Sequence, residues 1–491
     1  MSIVRHNSQQ HPYGLYVATL ALALFGYREW ITLSKPILLF FDEAYYYGWS
    51  QQLDWGYYSK PPVVAWLIRL TTDLFGNAEW AIKLASPVLY SLTGGVLYAI
   101  GKRLAGAQAG FYSAVIFLTM PLVSFNSLFI TTDAPLLFLW SSALWLFLSA
   151  QATNRWHFWI LAGLVGGLGL LSKYTFVLFP AAFLLYGMLS QQGRNILTNA
   201  RFWVTCALAL ACLLPNLWWN YNHDFISFQH TAEISQQTEN EMNIGRLLEF
   251  WGTQFIVFGP VAMLLLGVRL FKPRSVARGH QEALLWSLFI PIFAVISIQA
   301  LSARANINWG APAFVSASLI VGIYLAKLRW KIWFKVLTAV NLVLMFAFYN
   351  YASLLSVLNI ESKEGNDPFV RIEGWKPLAH SIQPIFDQYP DAPLASDSRK
   401  VLAYFGYYLE PKHLNGRALN PDKHIKNQYE LLYPIETSAS DTHLFVSEHM
   451  SGEQLKGYFE SVQLLDTANS EVRSNMTRSV KVYRVSGFKG Y

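Results

Sequence analysis

Cysteine is nearly absent: Cys206 and Cys212 are the whole complement. Both fall in one apolar run, on different faces of any helix it forms, which argues against a disulfide framework and a cysteine-based metal site. Charge is scarce as well, at 14% of residues against 53% hydrophobic. Soluble domains carry roughly 25% charged residues, so the solvent for this chain is lipid. Tandem repeats and low-complexity segments are also missing. The Gly-rich run AGLVGGLGLLSK lacks a GK[ST] ending and lies within an apolar stretch, so it is no phosphate-binding loop. Its small residues suit close helix contact in lipid instead. No convincing cleavage site follows the first apolar stretch, which is long enough to stay as an uncleaved anchor.

What is present, between Tyr13 and Tyr351, is a series of apolar runs of about 17–22 residues, each able to cross a hydrocarbon core of about 30 Å. The runs are 13–34, 79–101, 107–125, 134–151, 157–171, 174–190, 201–220, 251–271, 282–300, 309–327 and 332–352, roughly eleven spans in all. Basic residues fall on alternate connections: Lys102 and Arg103; Arg155; Arg194 and Arg201; Lys272, Arg274 and Arg278; Lys327, Arg329 and Lys331. The positive-inside rule makes those loops and the N-terminus cytoplasmic. The net charge of +7 is largely this bias and does not imply nucleic-acid binding.

The remaining connections face outward, and every residue with chemical promise lands there. After about Leu358 the sequence turns polar, with strand-like runs HLFVSE and SVKVYRV and helix-like runs SRKVLAYFGYYL and GEQLKGYFES. The expected fold is therefore an all-α polytopic membrane protein over 1–358, followed by a small extracytoplasmic α/β domain over 359–491. The first outer loop, 35–78, is too long for a plain connection. Its segments AYYYGWSQQL and VVAWLIRLTTDLF predict amphipathic helices at the membrane surface, the second begun by Pro61-Pro62. Asp42 and Glu43 directly follow the apolar run ILLFF, a costly place for charge unless it faces a polar cavity or water.

The ordered set DEAYYYGWS, SKPPVVAWL, FITTDAPLLF, LLSKYTFVLFP and RANINWGAPAF resembles the bacterial branch of the dolichyl-phosphate-mannose protein mannosyltransferase-like family, within the C-type glycosyltransferase superfamily. That branch includes the lipid A aminoarabinose transferase and the rhizobial lipid A glycosyltransferases. The likeness covers about residues 13–350 and not the tail. It implies transfer of a sugar from a polyprenyl-phosphate carrier to an acceptor on the outer face of the cytoplasmic membrane.

Inverting transfer needs a base for the acceptor proton, and a carboxylate within hydrogen-bond reach suits that task. Asp42 resembles the family's catalytic acid, with Glu43 orienting the acceptor or sharing the role; a helix cap is the plain alternative for Asp42. Departing phosphate needs a cation. Lys60 matches the family lysine before the double proline, although Ser59 stands where the aminoarabinose transferase has glutamate.

Lys173 and Arg304 are further candidates for phosphate or sugar, or else snorkel to headgroups. Asp133 could bond sugar hydroxyls or cap its helix. Asn308 and Trp309 are weaker contacts. Tyr45, Tyr46, Tyr47, Tyr57, Tyr58, Trp49, Trp55 and Trp66 form either a substrate wall or an interfacial aromatic belt. His223, Asp224, His230 and Glu233 do not match a zinc spacing, so no metal or other cofactor is expected, with a divalent ion left open. The acceptor is a lipid, a glycan or a protein. Two other functions compete: a polysaccharide polymerase or ligase, and a lipid or sugar transporter. Transporters often place charges at the midplane of broken helices, whereas the acidic residues here sit at outer helix ends.

Overall fold

The computed structural model describes residues 11–35, 37–236, 242–271, 280–303, 305–365, 367–436 and 442–491. Arg304, Lys272, Arg274 and Arg278 lie outside the described residues. The chain is mostly helical and ends in a small sheet. Six described helices are long and apolar enough to cross a membrane, or seven if one bent pair is a single span. Shorter apolar helices, Ala107–Thr119 and Trp156–Ser172, pack among them.

Helices form close to where the apolar runs place them, for example Tyr13–Ser34, Asp133–Thr153, Trp156–Ser172 and Ala200–Asn222. The expected straight span 251–271 is different. It is two helices, Ile244–Phe258 and Pro260–Phe271, bent by 111°. Gly259 forms the break with φ +98, a left-handed conformation that glycine adopts without penalty. A Cβ there would meet Asn341 Oδ1 at 2.4 Å, so the close approach also requires glycine.

The C-terminal sheet has strands β1 (Leu394–Ser396), β2 (Arg417–Ala418), β3 (Thr442–Ser447), β4 (Phe459–Arg473) and β5 (Met476–Phe488), in the order β2-β1-β3-β5-β4. Strand β1 runs parallel to both β2 and β3, while β3, β5 and β4 are antiparallel neighbours. The expected helix GEQLKGYFES stops after Gly452–Lys456, and its last residues start β4. Too many polar residues interrupt β4 for it to read as a strand, yet long pairing with β5 holds it.

The connection 35–78 forms helices Phe41–Gln51 and Val63–Phe75, with Pro62 at the N-cap of the second. The first helix does not offer its aromatic residues to lipid. Tyr45, Tyr46, Tyr47 and Trp49 are buried, in one hydrophobic core with Trp375, Leu402, Tyr404, Tyr407 and Tyr429 from beyond residue 358. Tyr57 joins this core and Tyr58 is buried as well, whereas Trp55 stays exposed. The interfacial-belt expectation therefore fails for most of the set, because a second apolar surface covers them. Burial of each such ring contributes about 1.5–3 kcal/mol, which fixes the loop.

Candidate active site

Asp42 sits in the first turn of the Phe41–Gln51 helix. About a third of its side chain remains accessible, and it lines a cavity of about 1420 Å³. Much of the wall is apolar, with Leu122, Phe125, Phe250, Ile256, Leu344 and Phe348, while Asp42, Glu43, Arg246, Glu249, Glu364, Asp367 and Arg371 supply charged groups and Asn308 an amide. Desolvation raises the pKa of Asp42 above the usual carboxylate range, against the opposing charges of Arg399 and Lys60. A carboxylate so placed is a stronger proton acceptor than one in water.

Glu43 is fully buried and its carboxylate is occupied. Phe40 N–H donates to Oε2 at 2.8 Å and Ile130 N–H donates to Oε1 at 2.7 Å, with Lys83 Nζ 3.7 Å away. The helix-capping role expected as the plain alternative for Asp42 thus falls to Glu43. Burial pushes Glu43 up to about 7, with Lys83 and the two amides opposing. Asp42 is left turned to the cavity.

Lys60 follows a tightly built segment. Tyr57 stacks on Trp49 with centroids 4.6 Å apart, and Tyr57 N–H donates to the Lys60 carbonyl. Helix Ala200–Asn222 clamps the segment from outside: Trp219 Nε1 donates to Asp54 Oδ2 at 2.7 Å and Asn216 Nδ2 to the Trp55 carbonyl at 2.7 Å. Gly56 is needed here, since a Cβ would lie 2.5 Å from the Trp219 ring. Burial and the Lys173 charge bring the Lys60 pKa down to about 8, against the pull of Asp42 and Asp133. Among the described residues, no carboxylate forms an ion pair with Lys60.

Asp133, Lys173 and Asn308 come together from three separate helix ends. Lys173 Nζ donates to Asp133 Oδ1 at 2.7 Å, and Asn308 Nδ2 donates to Oδ2. The sequence predicts all three as site residues, and they form one knot around the buried Asp133, with Asp133 and Lys173 within electrostatic range of Lys60. Trp309 does not join it and packs against Phe250, Ile296 and Ala300. Tyr45 accepts a hydrogen bond from Gln428 N–H, and Tyr58 stacks against His230 with centroids 4.7 Å apart. Desolvation and the charges of Lys60 and Arg399 bring His230 down to about 4, so it is neutral at pH 7.

One neighbour of Asp42 is absent from the sequence reading. Arg399 opens the Arg399–Tyr408 helix and brings Nη2 to 3.7 Å from Asp42 Oδ1, its guanidinium 5.0 Å from the Phe41 ring and 5.3 Å from that of Tyr45. The only local signal is the cap Ser398, which marks Arg399 as a first-turn residue.

Comparison with known proteins places this geometry. Residues 59–219 match the family model described as dolichyl-phosphate-mannose-protein mannosyltransferase. The lipid A galacturonosyltransferase RgtD of Rhizobium johnstonii is 36% identical over 321 residues, covering 63% of this chain and 66% of that protein. An undecaprenyl phosphate-alpha-4-amino-4-deoxy-L-arabinose arabinosyl transferase of Pseudomonas aeruginosa is 30% identical over 215 residues, covering 40% of this chain and 39% of that one. The chain thus spans less than two thirds of the length of the curated relatives it matches. The crystal structure of ArnT from Cupriavidus metallidurans in the apo state superposes with a TM-score of 0.65 at 15% identity, covering 96% of this chain and 97% of that one. The same protein bound to undecaprenyl phosphate gives 0.64 at 17%, with the same coverage. Fold, ordered motifs and relatives agree: this multi-pass membrane protein is similar, over part of its length, to the bacterial dolichyl-phosphate-mannose protein mannosyltransferase-like proteins, and it has the fold of ArnT.

Proposed function

We propose that the chain is an integral-membrane glycosyltransferase that moves a sugar from a polyprenyl-phosphate donor to a lipid A-type glycolipid on the outer face of the cytoplasmic membrane. The observation that carries this reading is the Asp42 carboxylate turned to a large cavity, within electrostatic range of the Lys60 ammonium, which has no ion-pair partner among the described residues. The apolar part of the cavity suits acyl or prenyl chains, and its charged residues suit a headgroup. RgtD acts on lipid A, and the ArnT structure was obtained with undecaprenyl phosphate.

Asp42 takes the proton of the acceptor hydroxyl as its oxygen bonds to the sugar carbon C1. The C1–O bond to phosphate breaks on the opposite face, and its electron pair leaves with the phosphate oxygen. Lys60 stabilises that growing charge. A single displacement of this kind inverts the configuration at C1. Glu43 holds the helix that carries Asp42, while Asp133, Lys173 and Asn308 order the far side of the headgroup region. The eleven-span topology, the 1–358 and 359–491 division and an extracytoplasmic C-terminal region fit this arrangement, since they put the site and its donor on one side of the membrane.

The test is mass spectrometry of envelope lipids from a deletion strain restored with wild-type or Asp42→Asn protein. One sugar missing from a glycolipid and returning only with wild type supports the reading. An unchanged profile, with undecaprenyl-linked sugars neither lost nor accumulated, overturns it.

A further inference from the structure

The Arg399 guanidinium is poorly used by the protein itself. It has five N–H donors in a fixed fork, yet among the described residues its polar contact is the 3.7 Å approach to Asp42, too long for a hydrogen bond. Its guanidinium lies 5.0 Å from the Phe41 ring and 5.3 Å from the Tyr45 ring, contacts that use none of the N–H donors in a hydrogen bond. Lys400, the next residue, is by contrast paired with Glu448 at 2.7 Å. Arg399 is also placed where folds of this kind bind ligands. It follows the carboxyl end of β1, whose parallel neighbours β2 and β3 lie on opposite sides, so the chain reverses direction in the sheet order there.

We propose that Arg399 reads a carboxylate on the transferred sugar, which makes the donor a polyprenyl-phosphate hexuronic acid and makes the C-terminal region part of the sugar site. This deepens the function proposed above and rests on it. A fork of parallel N–H donors matches a carboxylate in bidentate geometry, and Lys60 already serves the phosphate. In a pyranose only the ring oxygen and C5 stand between the reacting C1 and the C6 carboxylate, so a cation beside the base at C1 lies within reach of that group. Ser59, buried next to Lys60, adds no acid that would repel it. When the sugar carboxylate enters, Arg399 exchanges its loose contact with Asp42 for a closer one, and Asp42 is freed for the acceptor hydroxyl. The uronosyl sugar named for RgtD has the required group.

The experiment uses the full chain in lipid nanodiscs with lipid A as acceptor and two synthetic donors, undecaprenyl-phosphate galacturonosyl and undecaprenyl-phosphate galactosyl, which differ only at C6. Wild type is expected to favour the uronosyl donor by at least about 100-fold in kcat/KM, as a site built around a polar partner rejects the analogue that lacks it. Arg399→Gln should collapse that ratio, with the loss falling on the uronosyl donor. Arg399→Lys should fall between, because a point charge does not reproduce the fork, and it provides a second readout if the Gln variant folds poorly. An equal loss on both donors, or wild type that does not discriminate, overturns the assignment. Wild-type protein that transfers neither sugar overturns the glycosyltransferase reading itself, a result distinct from transfer with an unchanged ratio.

Discussion

Two carboxylates near the same cavity are treated in opposite ways. Asp133 is saturated: Lys173 sits 2.7 Å from one oxygen and Asn308 bonds the other. Asp42 is left open, with Arg399 at 3.7 Å and Lys60, which has no ion-pair partner among the described residues, close enough to shift its titration. The same residue type thus builds a tie in one place and, on the reading proposed above, a reactive group in the other. Spare hydrogen-bonding capacity distinguishes them, because a group already satisfied by its neighbours gains little from a ligand.

The largest expected effect tests the open side. Asp42→Asn should lower turnover by about 10³-fold, in the range of a lost general base, while the melting temperature barely moves. Near-normal turnover in purified protein would erase the contrast. Next is Lys60→Met, expected to lower kcat/KM by about 10–100-fold through weaker donor binding. Because the Lys60 pKa lies at about 8, the wild-type ammonium is charged at pH 7 and loses its proton as pH rises through 8. Wild-type kcat/KM should therefore fall above about pH 8, and a variant profile that keeps this alkaline limb would move the phosphate role elsewhere.

The closed side should respond in stability. Asp133→Asn strands a largely buried Lys173 and should lower the melting temperature by about 3–8 °C, with a smaller effect on rate. An unchanged melting curve would place Asp133 on the open side after all. Glu43→Gln should have the smallest effect, since an amide can accept from only one of the two backbone N–H groups and leaves the other unpaired, at about 1–3 kcal/mol. It also removes a pH slope. The folded chain holds the Glu43 proton up to about 7, against 4.5 unfolded, so this stabilisation is present below 4.5 and is lost as pH rises through 7. Thermal melts between pH 5 and 8 should show that decline in wild type and not in the variant.

Apolar periodicity made the helices legible, and the ordered motifs pointed to Asp42, Lys60, Asp133, Lys173 and Asn308. Both are local signals, readable within a short window of chain. Arg399 was not legible, because its contact with Asp42 depends on packing between segments far apart in sequence. The aromatic helix misled for the same reason: Tyr45 and Trp49 fit a lipid surface as well as a protein one, and only the tertiary partner decides. The bend at Gly259 has a local signal, the Gly259-Pro260 pair, which a reading by hydropathy alone passes over because hydropathy carries no information about direction.

The core shared by the first outer loop and the C-terminal region has a consequence for biogenesis. Tyr45 meets the backbone of Gln428 across almost the whole length of the chain. During synthesis the loop emerges 383 residues before the segment that covers it, so the helix bearing Asp42 waits uncovered until that segment follows. Order around Asp42 is thereby tied to arrival of the segment that holds Trp375, Tyr404, Tyr407 and Tyr429: a product cut short before it would insert its helices and leave the Phe41–Gln51 helix without its core.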